Sequence, residues 1–481
     1  MDSKQSYEKH IKYVDFYNEL KAGDEEYWGL GIENETYLMF DELALVTRDF
    51  IEKNHKPERY SVDYWTNFKK EYLTKALNKL PNTVRVPVYI NSYLFRNADI
   101  YGEHATKYDK GSPVNPKFNG LTIDEYMNKV SPTFRNLFEK HMIYDGDTFE
   151  FTTFDFYRAN VCNVIKELST IKSKFLKDVN DKLVYRTPLF KQSLIYPQFN
   201  YGLAKFLSNP NNIAVCNNGT YHINITLPTK LSDTGEIKNQ DEFKAVHANA
   251  IRAIQWIEPL LVALYGSPDI LHLIDSAYSG GSQRLGFSRY IGLGTYDSGI
   301  MEKGKLLDTF NYNEQPYFNE LHADSPYIPP ETTGYDFNYN KFTKHGIELR
   351  IFDYFPEKYL EALMNFLVLV CQYSVIKQIP DPRMDPLWNH LCMKAIKKGS
   401  VTKITPAVRS KLYSVFGLTN WWSPFNYSVI DISNSIAASL YKRYKDNSVC
   451  TKLSPNMKPV ILIDYNTEIK TKFADLIKTK N

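Results

Sequence analysis

The sequence predicts an α+β fold with helices packed behind a sheet, and two observations carry the prediction. Several segments alternate apolar and polar side chains with the period of two that half-buried strands show, and two long segments repeat apolar residues at helical spacing. If the strands are neighbours in one sheet, its apolar face packs on the two helices. The strand segments are 28–40, 147–156, 221–227 and 346–355, and the helical segments are 243–266 and 357–377.

The first part of the chain places one strand before a long irregular segment. A helical segment is expected at about 4–25, and it leads into the strand 28-WGLGIENETYLMF-40. Segment 41–145 contains an amphipathic stretch near 64–80 and a strand candidate, 84-VRVPVYI-90. We interpret 41–145 as an insertion between two core strands.

The helix 243–266 has recognisable start and break signals. Asn239 and Glu242 have the spacing of a capping box, in which each side chain satisfies a free backbone N–H. Pro259 lacks the N–H that an interior helical position donates, so we expect it to kink or divide the helix.

The last strand, 346–355, leads directly into the helix 357–377. Beyond it the sequence is typical of further helices and carries no chemical motif. We therefore predict a catalytic domain over 1–380 and a mainly helical C-terminal extension over 381–481.

Composition and charge exclude several classes of function. A chain of 481 residues with 43% hydrophobic and 23% charged residues is typical of a soluble globular protein. The net charge of +3 gives no reason to expect a nucleic acid or an acidic membrane as partner.

The longest apolar stretch, 366-FLVLVC-371, is too short to span a bilayer, and the N-terminus has no apolar leader, so we expect a cytoplasmic protein. The five cysteines form no CxxC pair, which argues against a thiolate zinc site.

Each predicted strand has one polar face that carries reactive groups. Successive side chains of a strand point to opposite sides, so residues two apart share a face. Neighbouring strands would therefore gather four carboxylates, one imidazole and one guanidinium on a single face. The shared sets are Glu33 with Glu35, Glu150 with Thr152, His222 with Asn224 and Thr226, and Glu348 with Arg350.

Such a cluster of carboxylates repels itself unless cations neutralise it. Oxygen ligands together with one imidazole suit Mg²⁺ or Mn²⁺. No P-loop motif occurs in the sequence, but a metal-carboxylate face still binds a nucleotide through metal-bridged phosphates. Arg350 then supplies a planar fork for phosphate or carboxylate oxygens.

Each polar face also has an ordinary structural explanation. A Glu-x-Glu pair is common on a solvated strand, and a single strand histidine such as His222 is more often a satisfied hydrogen-bonding residue than a ligand. Glu348 with Arg350 has the spacing of a surface ion pair. The coincidence on four strands, rather than any one of them, favours a metal site.

Five segments, taken in order, resemble a known family: the glutamate–cysteine ligases and related carboxylate–amine ligases of the glutamine synthetase superfamily. The likeness lies in patches within 26–375, and its specificity comes from the ordered set. The segments are 29-GLGIENETYL-38, 150-EFTT-153, 219-GTYHINITL-227, 254-IQWIEPLLVALYGSPDIL-271 with 281-GSQRLGFSRY-290, and 346-GIELRIFDYFP-356.

The resemblance implies an antiparallel sheet that curves over an active site, with helices behind it. It also implies two or three Mg²⁺ ions that hold ATP, with Glu348 and Arg350 as catalytic groups and Arg350 on the phosphates. Asn224 would lie beside the metal-bound triphosphate, while Arg284 and Tyr290 would contact the amino-acid substrate. The implied metal ligands are Glu33, Glu35, Glu150, His222 and Glu348.

The activity that the resemblance implies is ATP-dependent amide bond formation between a small amino-acid donor and an amine acceptor, most simply glutamate and cysteine. Two alternatives stay open. One is an amidoligase that modifies a protein or polymer amine, with 41–145 as an acceptor platform. The other is an inactive ligase fold that serves as a binding or structural protein, which the retention of all five ligands disfavours. The oligomeric state is open as well.

Overall fold

The computed structural model has an α+β fold, as the sequence predicts. The expected helix 4–25, all but the last residues of the amphipathic stretch 64–80, and Tyr290 lie outside the residues that it describes. The described residues are 26–45, 78–81, 84–100, 107, 114–154, 156, 158–207, 213–215, 219–232, 237–287, 337–339, 346–383, 385–419 and 423–478.

Most strands within these ranges are short. The two long strands, β1 and β11, have eleven residues each. They are β1 (Glu26–Thr36), β2 (Leu38–Phe40), β3 (Ala44–Leu45), β4 (Arg85–Val86), β5 (Val88–Ile90), β6 (Met142–Asp145), β7 (Thr148–Thr152), β8 (Leu194–Ile195), β9 (Leu203–Phe206), β10 (Ile213–Val215), β11 (Thr220–Lys230), β12 (Phe337–Tyr339), β13 (Ile347–Leu349), β14 (Lys403–Ile404) and β15 (Tyr427–Ser428).

The helices make up about half of the described chain and dominate its C-terminal region. They are α1 (Ser92–Asn97), α2 (Ile123–Val130), α3 (Pro132–Lys140), α4 (Val161–Leu183), α5 (Gln240–Tyr265), α6 (Gln283–Phe287), α7 (Leu360–Ile376), α8 (Pro386–Lys398), α9 (Pro406–Val415), α10 (Val429–Tyr444), α11 (Ser448–Leu453) and α12 (Tyr465–Ile477).

The main sheet is antiparallel and has the strand order β12-β13-β11-β1-β7-β6. The four strands that the sequence singles out are therefore direct neighbours, as β13, β11, β1 and β7. Their lengths differ from the prediction at three places. The segment 28–40 forms two strands in different sheets, β1 and β2, and of 147–156 only Thr148–Thr152 is a strand. Only Ile347–Leu349 of the segment 346–355 pairs as a strand, and the chain then runs through a loop into the helical segment.

The back of this sheet is apolar because the register places apolar residues of neighbouring strands opposite one another. Ile32 lies opposite Ile223, which lies opposite Leu349, and all three side chains are fully buried. Helix α4 packs on β1 and β7, helix α5 packs on β11, and α7 packs against both helices. Of the two helices predicted to cover the sheet, α5 does so directly and α7 forms the layer behind it.

Helix α5 shows how tertiary contacts overrule a local signal. The Asn239 side chain accepts a hydrogen bond from the Glu242 N–H, which is one half of the predicted capping box, and the Glu242 carboxylate accepts from the Asn239 side-chain amide. Pro259 was expected to kink or divide this helix, and it does not divide it, because Gln240–Tyr265 is continuous. Pro259 cannot donate to the carbonyl of Gln255 four residues earlier, and the indole Nε1 of Trp388 donates to that oxygen instead, at 2.7 Å.

A second, five-stranded sheet has the order β10-β9-β5-β2-β8 and contains a parallel pair, β5 with β9. The predicted insertion 41–145 contributes β5 to this sheet. Its last residues form β6, the edge strand of the main sheet. The end of 41–145 therefore belongs to the wall that carries the candidate site.

The C-terminal helices pack on the central helices. Helices α8, α10 and α12 contact α5, while α10 and α11 contact α7. Within the described residues, Glu357–Ile376 has the length and apolar composition to cross a membrane. However, 78% of its most apolar 18-residue stretch is buried inside the fold. That burial is typical of the core helix of a globular protein.

Candidate metal centre

The register of the main sheet brings the predicted polar side chains onto one face. Residues that lie opposite each other in an antiparallel pair point to the same side. The opposed pairs are Glu33 with His222, Glu35 with Glu150, Glu33 with Thr152 and Asn224 with Glu348. All five ligands predicted from the resemblance, together with Asn224, therefore share a face.

Glu33, His222 and Glu348 form the first group that can hold a cation. One ligand atom from each residue lies within 4.8 Å of the others. The Nδ1 atom of His222 is 3.1 Å from Glu33 Oε2 and 3.6 Å from Glu348 Oε1. All three residues are at most 3% exposed, so their polar atoms are removed from water.

Glu35, Asp145 and Glu150 form the second group, with ligand atoms again within 4.8 Å of one another. Asp145 was not predicted from the sequence. It ends the edge strand β6, where it lies opposite Thr148 and so on the face of Glu150. The signal that would have found it is 142-MIYDGDTFEF-151, in which an Asp-Gly turn joins two alternating strands.

His222 lies between the two groups. Its Nδ1 faces Glu33 and Glu348, and its Nε2 is 3.6 Å from Glu35 Oε1. This buried Nε2 atom has no hydrogen-bond partner among the residues that the structure describes.

Burial, followed by the positive charge of Arg350, lowers the pKa of His222 to about 4. A neutral imidazole carries one proton, so one of its nitrogens presents a lone pair to a carboxylate. A cation or a proton between them removes that repulsion, and the donor set therefore fits a divalent metal.

The surroundings of Glu35 disfavour its charged form. Burial raises its pKa to about 8, the charges of Glu150 and Asp145 add to the rise, and Arg350 and Arg284 oppose it. Without a bound cation this carboxyl group therefore holds a proton at neutral pH. A divalent ion would take the place of that proton.

Two arginines lie on the Glu35 side of the centre. Arg284, on the short helix α6, donates from Nη1 to Thr220 Oγ1 at 2.6 Å and to the Phe352 carbonyl at 3.1 Å. Thr220 is the residue opposite Glu35, so Arg284 reaches the polar face. Arg350 follows β13 two residues after Glu348. The predicted contact residue Tyr290 lies outside the described part of the chain.

Phe156 closes the polar face at the N-terminal half of β1. Gly29 and Gly31 lie on this face, and the phenyl ring occupies the space above them. A Cβ atom would come within 1.9 Å of the ring at Gly29 and within 2.8 Å at Gly31. These glycines permit the close approach. The sequence did not indicate this wall.

The fold and the site together define an α+β protein whose antiparallel sheet carries a candidate divalent-cation centre on its polar face. No protein-family model matches the chain. The chain is 38% identical over 463 residues to the uncharacterized protein R704 of Acanthamoeba polyphaga mimivirus, and the match covers 94% of this chain and 81% of R704. It belongs to the same family as that viral protein.

Proposed function

We propose that the protein is an ATP-dependent carboxylate–amine ligase that binds Mg²⁺–ATP on the polar face of its main sheet. One observation carries the proposal: the register gathers five carboxylates in two clusters on either side of a single buried imidazole, with two arginines beside them. Four of the five segments that resemble the glutamate–cysteine ligases lie on these same strands. Their predicted positions thus agree with a shared site.

The chain offers ligands for two Mg²⁺ or Mn²⁺ ions. Glu33, His222 and Glu348 would hold one ion, and Glu35, Asp145 and Glu150 would hold the other. Carboxylate oxygens with one imidazole are ligands that these hard cations accept. Bound ions would neutralise the charge of the ATP phosphates during phosphoryl transfer.

An amide does not form at a useful rate from a carboxylate and an amine at neutral pH, so the carboxylate must be activated. A carboxylate oxygen of the donor attacks the γ-phosphorus of ATP, and ADP leaves. The amine nitrogen of the acceptor then attacks the acyl carbon, loses a proton, and releases inorganic phosphate. Glutamate as donor and cysteine as acceptor are the simplest pair.

Arg350 and Arg284 have separate tasks in this scheme. Arg350 provides fixed N–H donors to the phosphoryl group in transfer, and loss of such a donor typically lowers the rate by about 10²–10³-fold. Arg284 is anchored on Thr220 and Phe352, and its guanidinium would bind the donor carboxylate. Asn224 adds a hydrogen-bonding amide opposite Glu348.

The decisive experiment measures ADP release by the purified protein with Mg²⁺ and ATP, across a matrix of amino-acid donors and amine acceptors. We expect turnover with one donor–acceptor pair and its loss in Glu35→Gln and Glu348→Gln, with circular dichroism unchanged. The matched control is Glu361→Gln, on the first turn of α7 and away from the site. Wild-type turnover in either site variant at saturating Mg²⁺ would refute that residue's role as a ligand.

A further inference from the structure

Lys172 is a buried cation directly behind the candidate metal centre. It lies in α4 and is 4% exposed. Its Nζ donates to Asn34 Oδ1 at 2.7 Å and to the carboxylate of Glu357, and it lies 4.6 Å from the centre of the Tyr196 ring. An ammonium group in an otherwise apolar layer is unfavourable unless its partners are fixed.

Asn34 connects this cation to the site. It stands between Glu33 and Glu35 on β1, but its side chain is on the opposite face, since it lies opposite Tyr221 and Phe151. Its Nδ2 donates to the Thr220 carbonyl at 3.0 Å and to the Glu35 carbonyl at 3.2 Å. One amide thus holds the backbone of two residues that face each other in the site.

Lys172 and the two carbonyls together set the direction of this amide. An ammonium group only donates, so the atom of Asn34 that faces it must be the oxygen. The amide nitrogen is then directed to the two carbonyls. Without Lys172 the amide oxygen loses its buried donor, and the backbone that carries Glu33 and Glu35 loses a constraint.

We propose that Lys172 is a positioning residue for the metal centre and that it acts through Asn34. The inference rests on the proposed function only in requiring that the polar face binds divalent cations. Residues that orient metal ligands without contacting the metal themselves are often important for binding. Their removal typically weakens metal affinity by about 10–100-fold. The sequence offers no hint of this role, because Lys172 is one of several lysines on a long helix.

The test measures Mn²⁺ binding by the full chain in the absence of ATP and other substrates. The free ion is detected by electron paramagnetic resonance. Lys172→Met should weaken Mn²⁺ binding by about 10-fold. Lys174→Met is the matched control, the same change at an exposed position of the same helix, and should bind as the wild type does. Lys172→Arg, which keeps a cation that only donates, should restore part of the affinity.

A second variant tests the path and covers the case in which Lys172→Met does not fold. Asn34→Leu has a similar volume on an apolar face, and it should weaken Mn²⁺ binding to the same extent. The double variant should bind like Asn34→Leu alone, because both changes break one connection.

Wild-type affinity in Lys172→Met or in Asn34→Leu would overturn the inference, and additive losses in the double variant would overturn the path through Asn34. A wild-type protein that binds no Mn²⁺ would overturn both the inference and the proposed function. Mn²⁺ binding with the predicted variant pattern, but without ADP release on any substrate pair, would refute the ligase and leave the inference standing.

Discussion

Two adjacent residues of β11, His222 and Ile223, should respond to alanine in opposite ways. Ile223 is fully buried on the apolar face between Ile32 and Leu349. Replacing it by alanine removes three carbon atoms, worth about 0.8 kcal/mol each in transfer free energy. The cavity left in a packed layer adds to this, so the expected loss of stability is about 3–4 kcal/mol.

His222 is equally buried but lies on the polar face. In the metal-free protein its hydrogen-bonding contact is with Glu33, at 3.1 Å. Loss of a hydrogen bond to a charged group is worth about 1.5–3 kcal/mol, and part of it is recovered if water enters the space that the imidazole leaves. We therefore expect His222→Ala to lower stability by about 1 kcal/mol and to weaken Mn²⁺ binding by at least about 10-fold.

The assay pairs urea unfolding in EDTA with Mn²⁺ titration of the same samples. Ile223→Ala should lose stability and keep its Mn²⁺ affinity, and His222→Ala should show the reverse pattern. If Ile223→Ala lost Mn²⁺ binding at unchanged stability while His222→Ala merely unfolded earlier, β11 would present the opposite faces. Unchanged Mn²⁺ affinity in His222→Ala would remove this residue from the ligand set.

Two further predictions concern the reaction and pH. A sulfoximine of glutamate whose alkyl group mimics cysteine should inhibit slowly and only with ATP and Mg²⁺, because its tetrahedral centre imitates amine addition; rapid, ATP-independent inhibition would contradict an acyl phosphate. Burial lowers the pKa of His247 to about 4, and its Nε2 accepts a hydrogen bond from the Leu227 N–H. The unfolded chain takes up this proton near pH 6.5, so stability should fall between pH 6.5 and 4 by about 3 kcal/mol more in the wild type than in His247→Gln. Parallel pH curves for the two proteins would show that His247 is not the titrating group.

The site could be read from the sequence to the extent that it depends on local geometry. The alternation of side chains along a strand is a property of the backbone, so the sequence alone determined that Glu33 and Glu35 share a face and that Ile32 faces away from them. The same argument separates His222 from Ile223. Composition and helical spacing were likewise sufficient for the α+β class and for α5 and α7.

The neighbours across each strand are set by the tertiary structure. Which strands pair, and in what register, depends on contacts between residues far apart in the chain, such as Glu35 with Glu150. Asp145 was not predicted for this reason. Its position on the face of Glu150 depends on the hairpin that pairs β6 with β7. The role of Lys172 could not be predicted from the sequence, because the burial of a lysine on a helix depends on the sheet that packs against it.

Helix α5 illustrates the same division on a smaller scale. The chain itself determined the N-terminal cap, because Asn239 and Glu242 are three residues apart and interact within one turn. The break expected at Pro259 follows equally well from local rules, yet it does not occur. An indole donor from Trp388, 133 residues away in the chain, satisfies the exposed carbonyl. Local sequence determines which groups need partners, and only the tertiary structure decides which distant residues supply them.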